Sequence, residues 1–207
     1  MDHDLDRTFH GIDIHLFDQL LRGRITPRDC VVDAGCGWGR NLAYLMRMGC
    51  DVFGIDRDPD AIAAVRALAA DLAPAIPADH FRVEALEQST LPAGVATVVV
   101  SSAVLHFASD HDTFEAVLRG SWRLLASGGM WFCRLASSIG FEARVRSIPG
   151  QPGRFHLPDG TDRYLVDEER LLDLTHQLEG QLLDPLKTTI VQDQRAMTTW
   201  VVRKRSR

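Results

Sequence analysis

Paired cysteines are missing from this chain of 207 residues: it has four, and none forms a C-x-x-C pair. Cys30, Cys36, Cys50 and Cys133 lie in or beside apolar runs, so they read as reduced, mostly buried thiols rather than as a zinc site or a disulfide framework. No apolar run approaches the ~20 residues that a spanning helix needs. The opening MDHDLDRTFH is acidic and polar, and a cytoplasmic protein without membrane contact is the expectation. Positive charge is scarce too. The 23 Lys and Arg face 28 Asp and Glu, and setting aside Arg203, Lys204, Arg205 and Arg207 at the C-terminus leaves 19 against 28. An acidic body argues against a nucleic-acid partner, since counterion release rewards a basic face. There is no internal repeat and no low-complexity tract, and the histidines and cysteines lack the close pairing of a metal site, so none is expected.

What is present is ordinary globular composition, 45% hydrophobic and 25% charged, which suits one domain over 1–207. IDIHLFDQLLR, from Ile12 to Arg22, repeats apolar residues at helical spacing. CVVDA (Cys30 to Ala34) reads as a short buried strand, and NLAYLMRM (Asn41 to Met48) as a helix stopped by Gly49. DVFGID is a second strand, followed by a helix with Asp58 as cap and Pro59 at its first position. HFRVEAL (His80 to Leu86) is a third strand, and ATVVVSS (Ala96 to Ser102) is apolar on both faces, as at the centre of a parallel sheet. A helix over 112–125, ended by Gly128 and Gly129, precedes the strand MWFCRLA. After a second helix capped by Asp167, LLDPLKTTIVQD and RAMTTWVVRK form an antiparallel last strand pair. The alternation predicts an α/β fold: a doubly wound, mostly parallel, seven-stranded sheet flanked by helices. Residues 137–166 break the pattern with glycines and prolines. They read as a loop-rich insertion with a hairpin around LPDGTDRYLV, and as a candidate substrate lid.

The segment VVDAGCGWGRN puts Gly35, Gly37 and Gly39 at alternate positions in the strand-to-helix turn, with Asp33 two residues before the first. A dinucleotide fingerprint has the longer spacing G-x-G-x-x-G and favours anionic phosphate at the helix start. The shorter spacing with an acid resembles the first motif of the class I S-adenosylmethionine-dependent methyltransferases, whose ligand carries an ammonium and a sulfonium. SSAVLHF resembles that family's fourth motif region, without the Asp that usually opens the strand. GCGWGRN and the closing RAMTTWVVRK resemble the tellurite-resistance-type members, which act on small, soft nucleophiles. The resemblance spans Ile12 to Ala136 and implies a Rossmann-like methyltransferase fold with S-adenosyl-L-methionine as cofactor. It further implies cofactor binding by Asp33, Gly35, Cys36, Gly37, Gly39, Asn41, Asp56, Arg57 and Ser102. Asp56, at the end of strand two, would take the ribose hydroxyls. Of Glu84 and Glu87, Glu87 is the preferred residue near the adenine.

The expected reaction is methyl transfer to a small-molecule acceptor, anionic or a soft nucleophile. His106, after strand four, is the first candidate base and His10 the second; a His106 hydrogen-bonded to a backbone carbonyl is the competing reading. Arg134, which interrupts an apolar strand, and Tyr164 are candidate substrate contacts. A local excess of arginine in the insertion points the same way. Three rivals stand beside this: a nicotinamide oxidoreductase, a methyltransferase acting on a macromolecule, and a non-catalytic S-adenosylmethionine-binding module. A monomer or homodimer is expected.

Overall fold

A computed structural model of the chain describes residues 8–9 and 11–206. The first helix, α1 (Ile14–Leu21), is capped by Asp13, whose side chain accepts the His15 amide. It leads into β1 (Cys30–Ala34), α2 (Leu42–Met48), β2 (Asp51–Asp56) and α3 (Pro59–Leu72). Asp58 caps α3 and Gly49, at φ 88°, ends α2, both at the expected places. Then come β3 (Phe81–Val83), β4 (Ala96–Ser102), α4 (His111–Leu124) and β5 (Leu125–Ala136). Three short strands, β6 (Arg146–Ser147), β7 (Arg154–His156) and β8 (Asp162–Tyr164), precede α5 (Glu168–Gln177), β9 (Gly180–Leu182), β10 (Lys187–Val191) and β11 (Arg195–Lys204).

Seven strands run in the order β10-β11-β5-β4-β1-β2-β3, and β9 adds an eighth beside β11. The five strands from β3 to β5 are parallel, while β11 is antiparallel to β5, β9 and β10. Alternate residues of one strand feed opposite faces, which is the period of a pleated strand. Val32, Val99, Trp131 and Trp200 pack under α4 and α5, whereas Val31, Val98, Val100 and Phe132 pack under α1, α2 and α3. Burying both faces accounts for the unbroken apolar runs in the sequence. Strand order reverses between β1 and β4, and an open α/β sheet holds its ligand in the crevice beyond such a reversal.

Two boundaries differ from the sequence reading. The helix before β5 stops at Leu124, and Gly128 and Gly129 belong to the strand. A Cβ on Gly129 would meet the Thr97 carbonyl at 2.7 Å, beside a shift in the β4–β5 register, so the glycine serves a close backbone approach and not a helix end. Strand β3 is also shorter than HFRVEAL suggested, ending at Val83 before a single turn over Leu86–Gln88. The insertion is more ordered than a loop. Its β7–β8 hairpin and β6 make a three-stranded antiparallel sheet. Among the described residues no helix is long and apolar enough to cross a membrane.

Candidate functional site

Where β1 ends, the Gly35 and Cys36 amides both donate to the Ile55 carbonyl of β2, at 2.8 and 3.0 Å, and the chain turns. Gly35 sits at φ 85°, and a Cβ there would lie 2.4 Å from Val104 Cγ2, so the position admits no side chain. Gly37, at φ 49°, is the opposite case: a Cβ would meet nothing within 4 Å, because the turn faces open space. Its amide donates to Asp56 Oδ2 at 2.8 Å, while Asp56 Oδ1 accepts the Asp58 amide at 3.0 Å. One carboxylate thereby ties the glycine turn to the entry of α3.

The turn borders a cavity of about 730 Å³ at the carboxyl edge of the sheet, within the range of small-molecule sites. Of the residues expected at a cofactor, Gly35, Cys36, Gly37, Asn41, Asp56, Arg57 and Ser102 line it. Gly39 does not; its Cβ position abuts Val65 at 3.0 Å, so it permits packing of the turn on α3. Apolar walls come from Leu86, Val104, Leu105 and Val117, and the exposed rings of Trp38 and Phe107 also border the space.

Asp33 lies in β1, 1% exposed, and neither of its carboxylate oxygens has a hydrogen-bond partner. Burial pushes its carboxyl up to about 7; the Arg40 charge and the Asn41 side chain pull it down, and Asp56 and Asp13 push it up again. A buried carboxyl without partners is costly unless something else satisfies it. Asp33 itself does not border the cavity; Gly35, two residues on, does.

Asp13 is the residue that the sequence did not single out. Its Oδ2 accepts the Ser102 hydroxyl at 2.9 Å and Arg134 Nη1 at 3.5 Å, and its amide donates to Asn41 Oδ1 at 3.0 Å. Arg40 Nη2 lies 3.9 Å from the same carboxylate oxygen and 3.3 Å from Ser102 Oγ. These contacts bridge up to 121 positions, and the only local signal was an acid at a helix start.

The remaining candidates are placed less centrally. His106 is 5% exposed and not part of the cavity wall; its Nδ1 accepts the Ala136 amide at 3.2 Å. Burial first, then the charges of Arg163, Arg134 and Arg195, push its imidazole down to about 4. The backbone partner is an amide and not the expected carbonyl, and it leaves Nδ1 unavailable as a base. Glu84 borders the cavity and Glu87 does not, because β3 ends early and the Glu84 carboxylate closes the following loop onto the Thr90 amide and hydroxyl, at 2.9 and 2.6 Å. Tyr164 is buried, its hydroxyl 2.9 Å from His111 Nδ1, and does not border the cavity; Arg134 reaches the site through Asp13. His10 lies outside the described residues. The insertion rests on the cavity wall itself: Arg154 Nη1 donates to the Ala108 carbonyl at 3.0 Å, and the Arg163 guanidinium lies 4.8 Å from the centre of the Phe107 ring. Among the described residues no group of three or more His, Cys, Asp or Glu is arranged to hold a metal.

Residues 32–133, which contain the glycine turn, both strand-end acids and β4, match the family model described as a methyltransferase domain. Residues 32–133 carry a methyltransferase domain. Solved structures agree on the fold of this methyltransferase domain. A SAM-dependent methyltransferase from Methanosarcina mazei aligns with a TM-score of 0.73 at 18% identity, covering 91% of this chain and 98% of the other. The 1,6-didemethyltoxoflavin-N1-methyltransferase of Burkholderia thailandensis, with bound 1,6-didemethyltoxoflavin and S-adenosylhomocysteine, aligns at 0.66 and 17% identity over 92% and 76% of the two chains. TehB from Haemophilus influenzae aligns at 0.65 and 18% identity, over 91% of this chain and 62% of TehB. No curated protein matches the chain in sequence.

Proposed function

We propose that the protein binds S-adenosyl-L-methionine along the edges of β1, β2 and β3 and transfers its methyl group to a small-molecule acceptor that enters between β4, β5 and the insertion. The observation that carries this reading is the juxtaposition of an open glycine turn and the Asp56 carboxylate around one cavity, with the buried Asp33 two residues before the turn. The methyltransferase domain and the S-adenosylhomocysteine held by the Burkholderia neighbour support the same cofactor.

In this reading Asp56 accepts hydrogen bonds from the ribose, Gly37 lets the backbone approach, and Asp33 offers negative charge to the cationic end of the ligand. Glu84 and the start of the Leu86 turn border the adenine end, in preference to Glu87. Bound there, the cofactor supplies an electrophilic methyl group on a sulfonium. The chain's part is to orient and to exclude water: Leu86, Val104, Leu105 and Val117 provide an apolar wall, and the insertion serves as a lid. Positioning of two reactants contributes on the order of 7–11 kcal/mol when the geometry is right.

The choice of acceptor class is supported by His106. Its Nδ1 is already engaged, so the reading favours acceptors that need little help from a base, such as a thiolate or another soft or anionic nucleophile. The bound small molecule of the Burkholderia neighbour supports an acceptor of that size. The test is calorimetric titration with S-adenosylhomocysteine, followed by transfer of labelled methyl into small acceptors. Binding with product formation supports the reading. Binding without product from any acceptor favours a non-catalytic binding module or a macromolecular acceptor.

A further inference from the structure

Asp13 is joined to two guanidinium groups and a cavity-lining hydroxyl, although it belongs to the segment before β1 and outside the glycine motif. Its side chain is 2% exposed. Oδ1 accepts the His15 amide at 2.9 Å, while Oδ2 faces Ser102, Arg134 and Arg40. Expelling so enclosed a carboxylate would leave the two arginines without their counter-charge, so Asp13 stays in place when a ligand arrives.

The charge count at this point is unequal: two guanidinium groups share one carboxylate. Donor capacity is also unused. The Arg134 Nε is buried with no partner. Arg40 is half exposed, borders the cavity and engages the protein through Nη2 alone among the described residues. Arg40 borders the cavity and Arg134 does not, so Arg40 is the group placed to meet a ligand; a guanidinium with free donors recognises a carboxylate well, because two N–H groups can meet two oxygens. Backbone geometry fixes the pair. Ser102 and Arg134 are neighbours in the β4–β5 register, and Ala103, at φ 62°, donates its amide to the Arg134 carbonyl at 2.8 Å.

We propose that Asp13 is a positioning residue that, with Arg134 behind it, holds Arg40 as the receptor for a ligand carboxylate at the edge of β4. The carboxylate belongs either to the amino-acid end of the cofactor or to an acidic acceptor, and the inference rests on the cofactor reading above only for the first source. Asp13→Asn keeps the size and the acceptor for the His15 amide but removes the charge that spaces the two arginines. Their mutual repulsion then spoils the receptor.

The experiment compares S-adenosylhomocysteine with its decarboxylated analogue, which retains the adenosine and the ammonium, by calorimetry on the full chain and on Asp13→Asn. The expected result is a loss of about tenfold for S-adenosylhomocysteine in the variant, with the decarboxylated ligand unchanged within about twofold, and the same pattern for Arg40→Met. An equal loss for both ligands would show that Asp13 only docks α1, and overturns the proposal. If the unaltered protein binds the two ligands alike, benzoate titrated onto the S-adenosylhomocysteine complex decides. Binding that Asp13→Asn abolishes assigns the receptor to the acceptor, and no carboxylate binding overturns it. Failure of both adenosine ligands to bind the unaltered protein contradicts the cofactor reading; benzoate titrated onto the ligand-free chain then decides the receptor by the same criteria.

Discussion

Asp56 Oδ2 accepts the Gly37 amide at 2.8 Å, so the acid at the end of β2 holds the turn that ends β1. The same carboxylate would have to serve the ligand and the turn together. Asp56→Ala should therefore weaken S-adenosylhomocysteine binding by about 1.5–3 kcal/mol, the scale of hydrogen bonds to a charged group. Calorimetry measures it, and unchanged affinity would remove Asp56 from the site.

Asp33 gives a stability test with a definite sign. Its folded carboxyl is pushed up to about 7 from the ordinary range near 4, so its contribution is complete below that ordinary value and is lost as pH rises through about 7. The size is on the order of 4 kcal/mol. Denaturant midpoints of the ligand-free protein should fall between pH 5 and 8 by more than in Asp33→Asn, which lacks the titrating group. Parallel curves for the two proteins would contradict the burial argument.

His106 has the opposite sign. Its folded imidazole is pushed down to about 4, so its contribution is present above the ordinary value near 6.5 and is lost as pH falls toward 4. His106→Ala strands the buried Ala136 amide and should destabilise by about 1–3 kcal/mol. If the residue is not a base, methyl transfer to a thiol should keep its pH profile in this variant. Loss of the rate with unchanged folding would restore His106 as the base.

Arg154 anchors the insertion to the Ala108 carbonyl beside the cavity. Arg154→Ala should raise KM for the acceptor severalfold and leave S-adenosylhomocysteine affinity within about twofold, because the cofactor strands are untouched. Steady-state kinetics with calorimetry separates the two. Equal effects on both ligands would mean that the insertion supports the whole cavity and is not a lid.

Local signals carried much of the architecture. Unbroken apolar runs in β1 and β4, the Asp58 and Asp167 caps and the left-handed Gly49 are decided within a few residues, and they appear where the periodicity put them. The glycine turn was legible because both its conformation and its spacing are local. Features set by distant parts were not. Asp13 acquires its partners only when Ser102, Arg134 and Asn41 arrive from three other elements. Glu84 rather than Glu87 borders the cavity because the Thr90 contacts shorten β3, and the engagement of His106 depends on the end of β5. Likewise, a run of glycines and prolines looks like a loop until the β6–β8 pairing closes it.

The most direct measurement follows labelled methyl from S-adenosyl-L-methionine into a panel of small acceptors: thiols, selenite, tellurite, phenols and carboxylates. A methylated product from a soft or anionic acceptor, with turnover lost in Asp56→Ala, is the predicted result. Tight S-adenosylhomocysteine binding with no product from any member would contradict the proposal of a small-molecule methyltransferase.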